Sequence, residues 1–326
     1  MKQPLGKTLR RKLDHPAIRY TEVPLEMHCG RQRSLQDRDM NDLSEHEFVI
    51  EPGRPEKRYW RDLWLFRELI YFLSLRDILV RYKQTAIGVA WSVVRPVLTM
   101  IALTFVFSRA AHLSTGDPSI PYALWVFVAM LPWQFFSDGL TAASNSLVAN
   151  TNMITKIYFP RVIMPLSRVV VSFVDFGITA SLLVAMIVFY HFYKYQFVPS
   201  WQMIFIPFYL LLAFASVIGV GMWFASLNVK YRDFAYIVPF LVQFGLYVSP
   251  VGISSGDMTH NNPTLRSIYS LNPMVGVIDG FRFCVFGNRA PLFWQGQLIS
   301  VAVIATLLLL GVHQFRKFER TFADVI

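Results

Sequence analysis

Five ionisable residues stand inside apolar stretches, and they limit the chemistry open to this chain. Asp138 and Asp175 interrupt runs of Phe, Val, Leu and Ala, Arg95 precedes Pro96 in another run, and Asp279 and Arg282 lie three apart in SIYSLNPMVGVIDGFRFCVF (267–286). An ionised side chain at mid-bilayer costs about 2.5–3.5 kcal/mol on insertion scales, so each must meet a polar cavity, a partner helix or an opposite charge. For the two carboxylates this means hydrating a passage or pairing helices, with Gln134 and Gln243 as polar partners in neighbouring runs. Acid–base or nucleophilic catalysis fits poorly. No His or second carboxylate stands at a suitable spacing, and GxSxG and SxxK patterns are absent. His15, His28, Cys29 and His46 lack metal-ligand spacing, and Cys29 and Cys284 supply neither a disulfide framework nor a CxxC knuckle.

The elements that must position these charges are membrane spans. Of 326 residues, 54% are hydrophobic and 16% charged, against about 25% charged in an ordinary soluble domain. Apolar runs cover 86–108, 121–147, 166–190, 203–227, 234–254 and 292–313, each long enough to cross about 30 Å of hydrocarbon as helix. The expected fold is all-α: a polytopic membrane protein with six transmembrane helices. Segment 267–286, broken at Asn272–Pro273, is expected to dip back as a re-entrant piece between spans five and six, sheltered by protein or a water-filled cavity. Asn272, Pro273, Asp279 and Arg282 read as a gate, closed by an Asp279–Arg282 ion pair on one helical face, with Val277 open to the outside.

Charge sets the orientation. The formal net charge is +10, and with six spans and a cytoplasmic N-terminus 26 of the 31 Lys and Arg fall inside. A seventh span would carry Arg316, Lys317 and Arg320 outward, against the positive-inside rule. Because the basic residues cluster at the ends of apolar runs, nucleic acid is not an expected partner. Residues 1–56 form a polar cytoplasmic tail without an apolar signal core, expected to be partly disordered, and 57–326 form the membrane domain. Within the latter, 59–83 carries too many charges to span and reads as an amphipathic interface helix with a stripe of Trp64, Tyr71, Leu75, Ile78 and Tyr82 and a break near Ser74.

Several segments also carry a resemblance. RDLWLFRELIYFLSLRDILVRYKQTAIGVAWSVVRPVLTMI (61–101), LPWQFF (131–136), NTNMITKIYFPRVIMPL (150–166), NVKYRD (228–233) and LNPMVGVIDGFR (271–282) occur in this order. Together they resemble the ABC-2 permeases of the polysaccharide-export family, which move lipid-linked O-antigen and related polymers, over roughly 57–326.

The resemblance implies an inner-membrane half-transporter with cytoplasmic termini. It would pair with a second copy of itself and dock on two copies of a separate ABC ATPase, which brings ATP and magnesium; this chain has no GxxxxGK[ST] loop and no cofactor of its own is expected. ATPase coupling would fall on Trp64 and Arg76 of the interface helix and on Met153, Ile157, Phe159 and Arg161 of the 150–165 loop, read as a stub helix presented to the partner. Arg81, Lys83 and Arg95 would form an entrance for the pyrophosphate of a polyprenyl-linked polysaccharide, because guanidinium groups pair with phosphate in a planar fork. Trp133, Phe136, Asp138, Phe240, Phe244 and Tyr247 would line the channel. An exporter of capsule, teichoic-acid-type polymer or drugs is the nearest alternative. A membrane-embedded glycosyl or acyl transferase would need an acid, base or metal cluster, and none is found.

Overall fold

The computed structural model describes residues 63–83, 88–115, 117–156, 159–193 and 199–319. The tail and Ile157 lie outside these residues. Among the described residues all regular structure is helical. In chain order the elements are α1 (Arg67–Lys83), α2 (Gly88–Thr104), a π-helical turn (Phe105–Ala110), α3 (Tyr122–Ser144), α4 (Ser146–Ala149), α5 (Thr151–Ile154), α6 (Ile163–Tyr193), a 3₁₀ turn (Trp201–Phe205), α7 (Ile206–Lys230), α8 (Phe234–Val248), α9 (Ser255–Met258), α10 (Pro263–Tyr269), α11 (Pro273–Phe286) and α12 (Trp294–Glu319).

Among the described residues, five helices are long and apolar enough to cross a membrane: those at Ala90–Ala110, Tyr122–Ser144, Ile163–Phe192, Trp201–Lys230 and Trp294–Glu319. The run expected to span at 234–254 is shorter, because α8 stops at Val248 after 15 residues, about 22 Å of helix. Pro250 disfavours helical geometry at the residue before it, and Ser249 is extended with ψ 153°.

The centre of the bundle is α3. Phe127, Val128 and Ala129 are fully buried, and α2, α6, α7, α8 and α11 all pack on this helix. In lipid, helices associate through close packing rather than escape from water, so small residues at crossings matter. The crossing of α7 and α12 is the tightest case: a Cβ on Gly311 would lie 1.9 Å from the Gly219 carbonyl oxygen. At Gly245 a Cβ would meet the Trp133 ring at 2.7 Å, so this glycine lets α8 lie against α3.

Helix α1 packs through a different face from the expected stripe. Phe66, Leu69, Ile70 and Leu73 meet the core, whereas Trp64 and Tyr71 are exposed. The expected break is also absent. Ser74 stays helical, donating from Oγ to the Ile70 carbonyl (2.8 Å) and to the Ser167 carbonyl of α6 (3.1 Å), which fixes this face against α6.

From Ser254 onward the chain makes three short helices, each begun by a side-chain cap. Ser254 Oγ accepts from Asp257 N–H, Asn262 Oδ1 from Thr264 N–H and Asn272 Oδ1 from Met274 N–H, with Pro263 and Pro273 at first helical positions. Helix α11 is largely buried between α3, α7 and α12.

Candidate functional site

Three of the charges inside the apolar runs, Arg95, Asp138 and Asp175, come together where α1, α2, α3 and α6 meet. On α6, Arg168, Ser172, Asp175, Phe176 and Thr179 recur at helical spacing and line one groove. Asp175 is buried and receives two elements at once. Arg81 Nη1 of α1 pairs with its Oδ2 at 2.7 Å, the Tyr82 hydroxyl donates to Oδ1, and Ser92 Oγ of α2 donates to the same oxygen at 3.3 Å. The carboxylate thus ties the end of α1 and the start of α2 to α6.

Asp138 of α3 faces Arg95 of α2 at 3.6 Å. This is a looser pair: the Arg95 side chain is 69% exposed and that of Asp138 18%. Two cavities meet here. One of about 960 Å³ has apolar walls from Trp91, Leu98, Phe135 and Phe176 and polar groups from Arg81, Arg95, Asp138 and Asp175. The second, about 680 Å³, extends past Trp133 and Arg168 to Pro239, Val242, Gln243 and Leu246 of α8. Of the two glutamines expected from sequence as partners, Gln134 lines both cavities beside Asp138, and Gln243 lines the second only. Both carboxylates face arginines, which lie on helices remote in sequence. Of the three expected entrance residues, Arg81 and Arg95 line both cavities, while Lys83 is exposed and lines neither.

Next to this cleft α1 is clasped to α6 and the α4–α5 turn. Asp77 pairs with Arg168 Nε (3.1 Å) and with its neighbour Arg76 (2.9 Å), and Arg76 Nη2 donates to Asn150 Oδ1 at 3.2 Å. Trp64 is exposed under the Arg67 guanidinium, 5.5 Å from its ring centre.

The 150–165 connector departs from the expected stub helix. Among the described residues between Asn150 and the start of α6, only Thr151–Ile154 is helical; Met153 packs partly on the core, and Phe159 is 5% exposed. Phe159 is therefore a core residue here and not a side chain offered to a partner. Arg161 turns inward as well: its main-chain N–H donates to Glu319 Oε1 at 2.8 Å and its guanidinium to the Glu319 carbonyl, joining the connector to the end of α12.

The expected channel residues divide. Trp133 and Phe136 are buried within the chain, their ring centres 5.7 Å apart. Phe240, Phe244 and Tyr247 are exposed along one face of α8, the two Phe rings stacked at 6.4 Å. Asp138 lies between the groups, on the wall shared by the two cavities.

The expected gate is built differently. No Asp279–Arg282 ion pair forms. Arg282 is 1% exposed, and its guanidinium donates to the Val251 carbonyl (2.8 Å) and the Ile253 carbonyl (3.4 Å) and stacks 4.3 Å from the Trp125 ring centre. Asp279 accepts from Ser255 Oγ, which Arg266 also contacts at 3.1 Å. The pairing failed because the carbonyls of the turn after α8 use the guanidinium first. Asn272 and Pro273 serve as cap and first residue of α11, and Asn272 Nδ2 donates to Ser249 Oγ at 3.1 Å. Val277 is fully buried, against the expectation that it opens outward.

Sequence reasoning missed Asp77, Tyr82 and Arg168 as parts of the charged site. Asp77 and Tyr82 stand five apart on α1 and Arg168 and Asp175 seven apart on α6, and their pairing is visible only once the two helices are known to be neighbours.

Comparison with known proteins agrees with this architecture. The chain is 25% identical over 271 residues to the O-antigen export system permease protein RfbA of Myxococcus xanthus, covering 82% of this chain and 99% of the relative. It is 26% identical over 263 residues to the RfbA permease of Klebsiella pneumoniae, covering 79% and 95%. It is also 24% identical over 265 residues to the capsule polysaccharide export inner-membrane protein CtrC of Neisseria meningitidis serogroup B, covering 80% and 95%. Residues 68–286, well over half of the chain, match the ABC-2 type transporter family. With its bundle of apolar helices, the chain belongs to the ABC-2 type transporter family.

Proposed function

We propose that this chain is the permease subunit of an ATP-driven exporter of lipid-linked polysaccharide in the bacterial inner membrane, with both termini cytoplasmic. The observation that carries this reading is the convergence of Arg81 and Arg95, from two helices, in a cavity with apolar walls. An amphiphile with a phosphate head and a hydrocarbon tail fits such a site, since guanidinium groups bind phosphate oxygens and the walls accept the chain. Relatives named for O-antigen export support the cargo class, and the capsule-export relative keeps a capsular polymer as the second reading.

In this reading α8 is the fifth of six spans, the helices from Ser255 to Phe286 form the re-entrant segment, and α12 is the sixth span. A second copy covers the exposed aromatic face of α8 and the exposed Trp91, Leu98 and Ile101 of α2, and the channel runs between the copies past Phe240, Phe244 and Tyr247. ATP and magnesium belong to the partner ATPase, which meets Trp64 and the exposed side of α1 together with the 150–156 turn. The test is ATP-dependent translocation of a polyprenyl-pyrophosphate-linked oligosaccharide in vesicles holding the permease and its ATPase. Translocation that requires both subunits and falls at least tenfold in Arg95→Gln is expected. Equal translocation by the variant would overturn the entrance reading, and ATP hydrolysis by the purified permease alone would overturn the division of labour.

A further inference from the structure

The two ion pairs of the cleft are built to different standards. Arg81–Asp175 closes at 2.7 Å, and Tyr82 and Ser92 add hydrogen bonds to the carboxylate. Arg95–Asp138 stands at 3.6 Å, with the arginine mostly exposed. A pair of the first kind holds helices together, whereas one of the second contributes little to stability and exchanges readily for another ion. Its position gives the looseness a use. Arg81, Arg95, Thr99, Gln134 and Asp138 are common to both cavities, so this pair stands on the wall between the space bounded by Trp91 and Leu98 and the space that reaches Gln243 and Leu246 of α8.

We propose that Arg95–Asp138 is a removable partition: the phosphate of the cargo takes over Arg95, Asp138 lets go, and the first cavity joins the second. The proposal rests on the reading of the cleft as a phosphate entrance and adds how the cargo passes and leaves it. Asp138 is an internal anion that occupies Arg95 while the site is empty. It competes with the cargo phosphate for the guanidinium and reclaims it afterwards. A transporter gains from such competition, because a site that binds its cargo too tightly does not release it. Arg81 does not take this part, since Asp175 already holds it at short range.

The test uses the full-length permease in lipid nanodiscs, with farnesyl pyrophosphate as probe and farnesol as the phosphate-free control. Asp138→Asn and Asp138→Ala are expected to bind farnesyl pyrophosphate about three- to tenfold more tightly than the native chain, the range that loss of a weak competing pair allows. The gain should appear as slower dissociation, and farnesol binding should not change. Arg95→Gln should bind about tenfold more weakly, and adding Asp138→Asn to it should recover nothing. With two neutral variants at Asp138, poor folding of one leaves the other to decide. Native or weaker affinity in the folded Asp138 variants, or a gain that persists without Arg95, would overturn the partition while the phosphate entrance stood. Native affinity in Arg95→Gln would overturn the entrance and the partition together.

Discussion

Arginines at two sites in this chain, the exposed Arg81 and Arg95 of the cleft and the buried Arg282 of α11, are answered in opposite ways. In the cleft, Arg81 and Arg95 are answered by carboxylates on other helices, Asp175 and Asp138. On α11, Arg282 is answered by main-chain carbonyls of the turn after α8 and by the face of Trp125. A carboxylate partner sits on a rotatable side chain and can be exchanged for another anion. A carbonyl fixed in a turn, with an indole packed over the guanidinium, cannot be exchanged without undoing the fold around it. The difference assigns adaptability to the α1–α2–α3–α6 cleft and rigidity to α11. The fixed contacts of Arg282 stand in place of the Asp279–Arg282 ion pair expected to close a gate across 255–286.

The largest effect should come from the rigid site. Arg282→Met keeps most of the volume but strands the Val251 and Ile253 carbonyls in a buried setting, at a cost of about 3 kcal/mol or more. Thermal unfolding in detergent should show a clearly lower midpoint and a smaller folded yield. A midpoint equal to that of the native protein would break the contrast at its fixed end.

An intermediate effect is expected at Asp175. Asp175→Ala leaves the Arg81 guanidinium without its short-range anion and removes the acceptor of Tyr82, costing about 2 kcal/mol, while Asp175→Asn retains an acceptor and costs about half as much. Hydrogen exchange should quicken in the last turns of α1 in both variants, more in Ala than in Asn, with α11 unchanged. Loosening of α11 to the same degree would show that the two sites form one unit.

The smallest effect lies outside the spans, where Asp117 accepts from the Ser119 hydroxyl (2.6 Å) and its N–H (2.9 Å) and faces Arg289 at 3.7 Å. The Ser119 hydroxyl, then its N–H and then the Arg289 charge hold the Asp117 carboxyl below its ordinary value. A depressed folded value means that the stabilisation is present above the unfolded-state value, about 3.9, and is lost as pH falls through the lower folded value. Asp117→Asn should therefore lower the midpoint slightly at pH 7, where the stabilisation is present, and leave no difference from the native chain at a pH below the folded value. A midpoint gap that stays the same from pH 7 into acid would show that the Asp117 carboxylate charge is not its source.

Much of the fold was legible because the bilayer imposes a length and a polarity on each segment. Five of the six expected spans appear as helices long and apolar enough to cross a membrane, a helix forms within 59–83, and the capped break at Asn272–Pro273 appears where the residue types placed it. The site was legible in part. Asp138, Asp175 and Arg95 stood out because charges are costly in apolar runs, and all three line the same cleft. Their partners were not legible. Asp175 meets residues 93 and 83 positions away, and Arg161 meets one 158 positions away, separations over which periodicity carries no information.

By itself, then, the sequence determined that this chain is a helical membrane protein, which segments are apolar enough to be candidate spans, and which few charges had to be accommodated. Those properties follow from hydropathy, length and local caps, all read along the chain. Only the tertiary structure decided which charge answers which, that Phe159 is core, that Arg282 is spent on carbonyls, and that the packed face of α1 is not its expected stripe. A helix exposes several faces of similar composition, and the choice among them is made by close packing against its neighbours. Local sequence carries no record of those neighbours.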